Sequence, residues 1–386
     1  MENKKQLGQF FTTNSDQILV GLNKYVRGKK VADPFAGNSD LLKWAKKEGA
    51  KSVEGFDIDK KFVNNKDVFF NDSLLFPKKY EFVLTNPPYL NINKADKTTK
   101  EKYFANGFED LYQLALISIM DSDEGIVIVP INFLSAENSK KTRNAFFSKF
   151  EIVEMNYYKN QVFSDTTYNV IVFYYKKKKD AFDCCFNIKA HLYPDKKNIN
   201  IKLEKKYGWM IGGSFINCIK NQKNELKIYR LQEKDLIKGN QEIKMAYNHI
   251  KEQKIYSVTD KNMELVRANI ILLKAIDSGS EKGKIALEDI RDYKLDGLVS
   301  KPTSRHMVQL IFEKQITINE QREIIKVFND ELENLRKKYN SLFLTNYRDN
   351  DRKRISFNFT YKLINYLYVN KLHNISQETQ DEKLLA

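Results

Sequence analysis

Three short β-forming runs near the start of the chain each lead to a carboxylate or an amide. Lys30-Val31-Ala32 stops at Asp33, Ser52-Val53-Glu54-Gly55-Phe56 at Asp57, and Phe82-Val83-Leu84 just ahead of Asn86. Between the first two stands Ser39, able to cap a helix carrying Leu41, Leu42 and Trp44. Strand, helix and strand at this spacing constrain the chain to an α/β fold with a parallel, doubly wound sheet, because parallel neighbours need a crossover between them. Further on, residues 111–120 read as a helix and 125–130 as the clearest strand, while 151–157 and 169–175 form a strand pair rich in β-formers. The lysine run 176–179 closes a first domain, predicted at residues 1–180. Ligands of such sheets sit beyond the carboxyl ends of the strands, where Asp33, Asp57 and Asn86 all fall.

Asn86 opens the tetrapeptide Asn86-Pro87-Pro88-Tyr89. The amine of a conjugated ring is a poor nucleophile because its lone pair is delocalised. Two fixed acceptors that take both N–H bonds favour a tetrahedral nitrogen whose lone pair points at an electrophile. The Asn86 side-chain oxygen and the Pro87 carbonyl can be those acceptors, the prolines stiffen the backbone, and Tyr89 offers a face for a base. Taken alone, the tetrapeptide could also be an ordinary Asn-Pro turn after a strand.

Taken in order, the motifs resemble those of S-adenosylmethionine-dependent DNA adenine-N6 methyltransferases of the restriction-modification type. The order is that of the gamma class, similar to the TaqI methyltransferase group, in which cofactor motifs precede the catalytic one. Gly8-Gln9-Phe10-Phe11-Thr12 is similar to the N-terminal motif that folds over the methionine part of the cofactor. Asp33-Pro34-Phe35-Ala36-Gly37 resembles the motif that holds the methionine end, and Asp57-Ile58 the one whose carboxylate takes both ribose hydroxyls. Asp72-Ser73 falls where the family has an acidic residue for the cofactor's adenine amine; Asp110-Leu111-Tyr112 and residues 129–134 match later motifs. The resemblance implies a Rossmann-like methyltransferase sheet, S-adenosyl-L-methionine as cofactor, and an adenine flipped out of double-stranded DNA. It makes Phe163 the second wall of the base pocket, with Tyr168 its rival, and a cognate restriction endonuclease a partner in the same system. The single glycine of the first turn, Gly37, suits a ligand without phosphates better than a dinucleotide.

The 386 residues exceed the usual size of one core and carry a net charge of +15, with the larger excess in the second half. A polyanionic partner accounts for that excess, as does a lysine-rich solvated surface. By resemblance, residues 181–386 form a variable α+β domain that reads DNA. Two of its segments carry suitable donors: Lys301, Thr303, Ser304 and Arg305 in one, Arg352, Lys353 and Arg354 in the other. Residues 317–339 read as a helix whose seam, including Phe328, Leu332 and Leu335, packs on its own domain in preference to a partner helix. The stretch 90–102, with four lysines, reads as a loop over the substrate or equally as a solvated surface. Three cysteines and four scattered histidines have no metal-ligand spacing, so no metal is expected. Without a signal pattern or a long apolar run, the expected location is cytoplasmic. Three other readings use the same tetrapeptide or the same basic half: an RNA methyltransferase, a methyltransferase of protein glutamine, and an inactive DNA-specificity subunit.

Overall fold

The computed structural model describes residues 12, 14–163, 168–180, 182–278, 284–348 and 352–373. Phe10 and Phe11 of the N-terminal motif lie outside the described residues. Two compact units divide the chain, Met1–Gly213 with Arg348–Asp351, and Ser214–Tyr347 with Arg352–Ala386.

The first unit is built on nine strands: β1 (Lys30–Asp33), β2 (Ser52–Asp57), β3 (Val68–Phe70), β4 (Tyr80–Thr85), β5 (Ser122–Pro130), β6 (Phe150–Tyr158), β7 (Val170–Lys177), β8 (Cys185–Tyr193) and β9 (Lys197–Glu204). They form one sheet in the order β3-β2-β1-β4-β5-β7-β6-β8-β9. The first five are mutually parallel, and β7 runs antiparallel to β5. Chain order reverses between β1 and β4, so a crevice opens at the carboxyl ends of β1, β2 and β4. Residues 125–130 of β5 are all buried, as expected for a strand covered on both faces, which is why this run is apolar without alternation. Gly125 makes the sheet possible at its centre: a Cβ there would lie 2.4 Å from the Val83 carbonyl oxygen and 2.9 Å from the Tyr175 hydroxyl.

β8 and β9 extend this sheet although they follow the lysine run at 176–179. The first compact unit therefore runs to Gly213, beyond the boundary expected at residue 180. β8 alternates exposed and buried residues, and Trp209 stacks on its Phe186 with ring centroids 5.3 Å apart. β3 is a three-residue strand that sequence periodicity could not resolve.

The second unit mixes a four-stranded and a three-stranded sheet with helices, an α+β arrangement. Its long helix, Ile318–Tyr339, begins where Thr317 and Glu320 cap one another and buries Phe328, Leu332 and Leu335 within the unit.

Candidate active site

The turn after β1 is shaped by hydrogen bonds from two strand ends. Asp33 Oδ1 accepts from the Phe35 backbone N–H at 3.0 Å and from the Thr85 hydroxyl at 2.6 Å. The Ala36 N–H donates to the Phe56 carbonyl, and the Gly37 N–H donates to Asp57 Oδ2 at 2.8 Å, with Gly37 at φ +47°. Asp57 Oδ1 accepts from the Asp59 N–H at 2.8 Å. The turn lies directly on β2, because Gly55 leaves no room for more: a Cβ there would meet the Ala36 Cβ at 2.7 Å. Ser39 stands at the N-cap of the helix Asp40–Lys47, but in a left-handed conformation and without a side-chain cap bond.

A pocket of about 790 Å³, its open mouth included, runs along these strand ends. It reaches from Thr12 and Asp33 past Asp57 and Asp72 to Asn86 and Pro88. Among the described residues, four aspartates and no Lys, Arg or His contribute to its lining. Such a wall repels phosphate and attracts a cation. Burial pushes the Asp33 carboxyl up to about 7, only partly opposed by its bonds to Thr85 and Phe35, and Asp57 is raised chiefly by burial. Asp33 Oδ2 is buried with no hydrogen-bond partner among the described residues, an orphan acceptor beside the pocket.

At the far end, Asp72 Oδ2 accepts from the Tyr103 hydroxyl at 2.9 Å and pairs with Lys102 Nζ at 2.8 Å. Those two residues belong to the helix Lys97–Tyr103, which Asp96 caps through the Thr99 N–H. The stretch expected as a loop is thus largely folded, anchored by Leu90, Ala95, Tyr103 and Phe104 in one apolar cluster. Its lysines are not all a cover over substrate, since Lys102 holds the pocket's own carboxylate. Tyr103, Thr85 and the role of Lys102 as a partner of Asp72 escaped sequence reading. Only Thr85 left a trace there, as a hydroxyl on the strand next to the one that ends in Asp33.

Asn86 is buried, and its amide is held at both ends: Nδ2 donates to Thr12 Oγ1 at 3.2 Å, and Oδ1 accepts from the Tyr89 hydroxyl at 2.5 Å. The same hydroxyl lies 3.0 Å from the Ile128 carbonyl oxygen. Tyr89 is 2 % exposed, with its ring edge-on to Tyr112 and Tyr168 at centroid distances of 6.4 and 6.5 Å. The open stacking face expected of Tyr89 is accordingly replaced by a packed ring whose hydroxyl engages Asn86. Pro87 is buried and Pro88 half-buried. Phe163 is buried at 3 % exposure and makes no ring contact among the described residues, whereas its rival Tyr168 is the aromatic against Tyr89. Ile58 and Ser73 line the pocket with Asp57 and Asp72; Pro34, Phe35 and Ala36 form its wall beside Asp33.

In the second unit, the two basic segments separated by some fifty residues of sequence converge. The Ala275 N–H donates to the His306 carbonyl and the Ile355 N–H to the Ala275 carbonyl, placing 300–306 and 352–355 on either side of one strand end. The Arg354 guanidinium is lowered by burial and by the like charge of Arg305. Arg230 holds the loop through the Ser304 and Pro302 carbonyls, with Thr303 exposed between them. Lys301 and Lys254 both lie over the Tyr247 ring, at 5.2 and 4.3 Å, and His249 stacks on His306. Lys353 is a correction: at 1 % exposure its side chain is buried and cannot meet a duplex. Arg352 is half-buried and donates to the Asp277 carbonyl.

Strand order, the turn after β1 and the acidic pocket define a Rossmann-like fold of the class I methyltransferase kind. Residues 14–163 match the family described as Eco57I restriction-modification methylase, a stretch that holds every motif of the resemblance but the N-terminal one at residues 8–12. The type IIL restriction-modification enzyme MmeI, solved in complex with DNA, has the same fold over 92% of this chain and 63% of its own, with 12% identity and a TM-score of 0.51. Two further solved structures are a methyltransferase subunit of a type I restriction-modification system from Streptococcus thermophilus and the M protein of the type I enzyme EcoKI. The first is 16% identical, covers 50% of each chain and has a TM-score of 0.34. The second is 13% identical, with 48% of this chain and 49% of its own covered and a TM-score of 0.38. The chain spans about half the length of these two relatives. No curated protein matches it in sequence. Among the described residues no helix is long and apolar enough to cross a membrane, and no cluster of side chains could hold a metal ion.

Proposed function

We propose that this protein is a site-specific DNA adenine-N6 methyltransferase that uses S-adenosyl-L-methionine and acts within a restriction-modification system. The observation that carries this reading is the buried amide of Asn86 at the end of a pocket lined by aspartates, with no basic residue among its described lining. Such a pocket suits a cationic ligand that has a ribose and no phosphate. S-adenosylmethionine, when bound, supplies an electrophilic methyl on a positively charged sulfur.

The chain's own groups do the rest. Asp33 Oδ2, now without a partner, would accept from the ligand's ammonium, and the ionised carboxylate would be stabilised by it. Asp57 and Asp72 keep lone pairs for a ribose diol and an exocyclic amine, each carboxylate being held in place by the bonds described. Asn86 Oδ1 and the Pro87 carbonyl would take the two N–H bonds of the acceptor amine, leaving its lone pair directed at the methyl. The amine loses its proton after attack, so no general base is required. Phe163 and Tyr168 remain the candidates for the base wall, with Tyr168 favoured by its contact with Tyr89. The basic convergence of Lys301, Arg305 and Arg354 is suited to the phosphates of a duplex.

Incubating the protein with methyl-labelled S-adenosylmethionine and plasmid DNA, tRNA with rRNA, or release factors tests the reading. Label in DNA, recovered as N6-methyladenine on nucleoside digestion, is the expected result. Label in RNA or protein alone would replace DNA as substrate, and methylcytosine would overturn the adenine assignment. A cognate endonuclease, if this reading holds, cuts the same sites only when they are unmethylated.

A further inference from the structure

The bond between Thr12 and Asn86 joins two functions that the motifs keep separate. Thr12 is 4 % exposed and lines the acidic pocket, and its carbonyl is anchored by the Ser15 hydroxyl at 2.8 Å. Its own hydroxyl oxygen accepts from Asn86 Nδ2 at 3.2 Å, across 74 residues of sequence. The Asn86 amide is therefore suspended between a hydroxyl on the pocket wall and the hydroxyl of Tyr89, which is held in the sheet by the Ile128 carbonyl.

Resting on the function proposed above, we infer that Thr12 is a positioning residue for transfer: its hydroxyl tethers the Asn86 amide so that Oδ1 faces the incoming amine. An asparagine side chain has two rotatable bonds, and only one amide plane presents Oδ1 as an acceptor at the crevice. With Nδ2 tethered, the other end of the amide is aimed. Without the tether Nδ2 loses its bond to the pocket wall, and the amide plane is held less firmly in the orientation that presents Oδ1. The Tyr89 hydroxyl completes the device. It has one proton and, among the described residues, reaches both Asn86 Oδ1 and the Ile128 carbonyl, so it can satisfy Oδ1 while the site is empty and turn to Ile128 when an amine arrives.

Threonine is replaced by valine, which keeps the shape and removes the acceptor, and by serine, which keeps the acceptor. Thr12→Val is expected to lower kcat for DNA methylation at least about tenfold, with the S-adenosylmethionine dissociation constant changed less than about threefold. Thr12→Ser should stay near the wild type in both. An unchanged kcat in Thr12→Val, a serine variant as slow as the valine one, or a loss confined to cofactor affinity overturns the tether. A second readout is independent of substrate. With asparagine side chains labelled with 15N, and the Asn86 signal assigned by its disappearance in Asn86→Asp, the Nδ2 protons should exchange slowly in wild type and serine variant and fast in Thr12→Val. Equal protection in all three refutes the tether even if DNA is methylated. Slow exchange that depends on Thr12, in a protein that labels no DNA, keeps the tether and refutes the DNA reading.

Discussion

Asp33 couples the pocket to pH. Its carboxyl sits at about 7 instead of the ordinary 3.8 because burial disfavours the charged form. A raised folded-state value stabilises the ligand-free protein on the acid side, fully so below about pH 4, and that contribution is lost as pH rises through 7. A cationic ligand has the opposite requirement, since it binds the ionised carboxylate. S-adenosylmethionine affinity should therefore fall as pH drops below 7, approaching tenfold per unit, with a proton released on binding. Titration calorimetry in buffers of different ionisation enthalpy checks this, and Asp33→Asn should abolish the proton release. Asn86→Ala is expected to cut transfer by about 10²–10³-fold, as removal of a single transition-state acceptor does, while leaving cofactor binding largely intact. Equal loss of both would make position 86 structural. Asp57→Ala should instead raise the cofactor dissociation constant first, and an unchanged constant counts against the ribose assignment.

Glycines set how closely neighbouring elements approach. At Gly55 the turn 34–37 rests on β2, and at Gly125 the strands β4, β5 and β7 meet over a space too small for a methyl group. Gly125→Ala should cost roughly 2 kcal/mol, the usual size of overpacking in a dense interior, read as a lowered midpoint in denaturant. Gly55→Ala should disturb the cofactor turn as well, showing weaker cofactor binding beside the lost stability. β1, β2, β4, β5 and β7 were legible because β4, β5 and β7 are apolar and buried over most of their length, while β1 and β2 end buried at aspartates. β8 and β9 were not, since their exposed faces carry Lys and Asn, and polar alternation next to a lysine run reads as the start of something new. The helix Lys97–Tyr103 was hidden for a related reason: three lysines on a short helix look solvated until one is seen to bond a buried aspartate.

The charge of the whole molecule belongs with its partner. If DNA is that partner, removing cations from the converged patch should reduce the steepness with which affinity falls with salt, by about 0.9 for each phosphate left without its cation. Arg305→Gln with Arg354→Gln should flatten the slope of log affinity against log salt by nearly two and weaken all sequences alike. Lys353→Met should change stability and leave that slope alone, because the side chain is buried. A slope unmoved by the arginine pair would remove the patch from the interface. The order of motifs, the parallel sheet and the strand-end positions of Asp33, Asp57 and Asn86 could all be read along the chain, because strand burial and turn residues are local in sequence. Which acidic residues share one pocket, that Tyr89 turns its hydroxyl and not an open ring face toward the site, that Lys353 is buried while Arg305 and Arg354 meet, and that Thr12 reaches Asn86 depend on packing between distant segments. Those follow from how the elements come together, and residue order carries no signal for them.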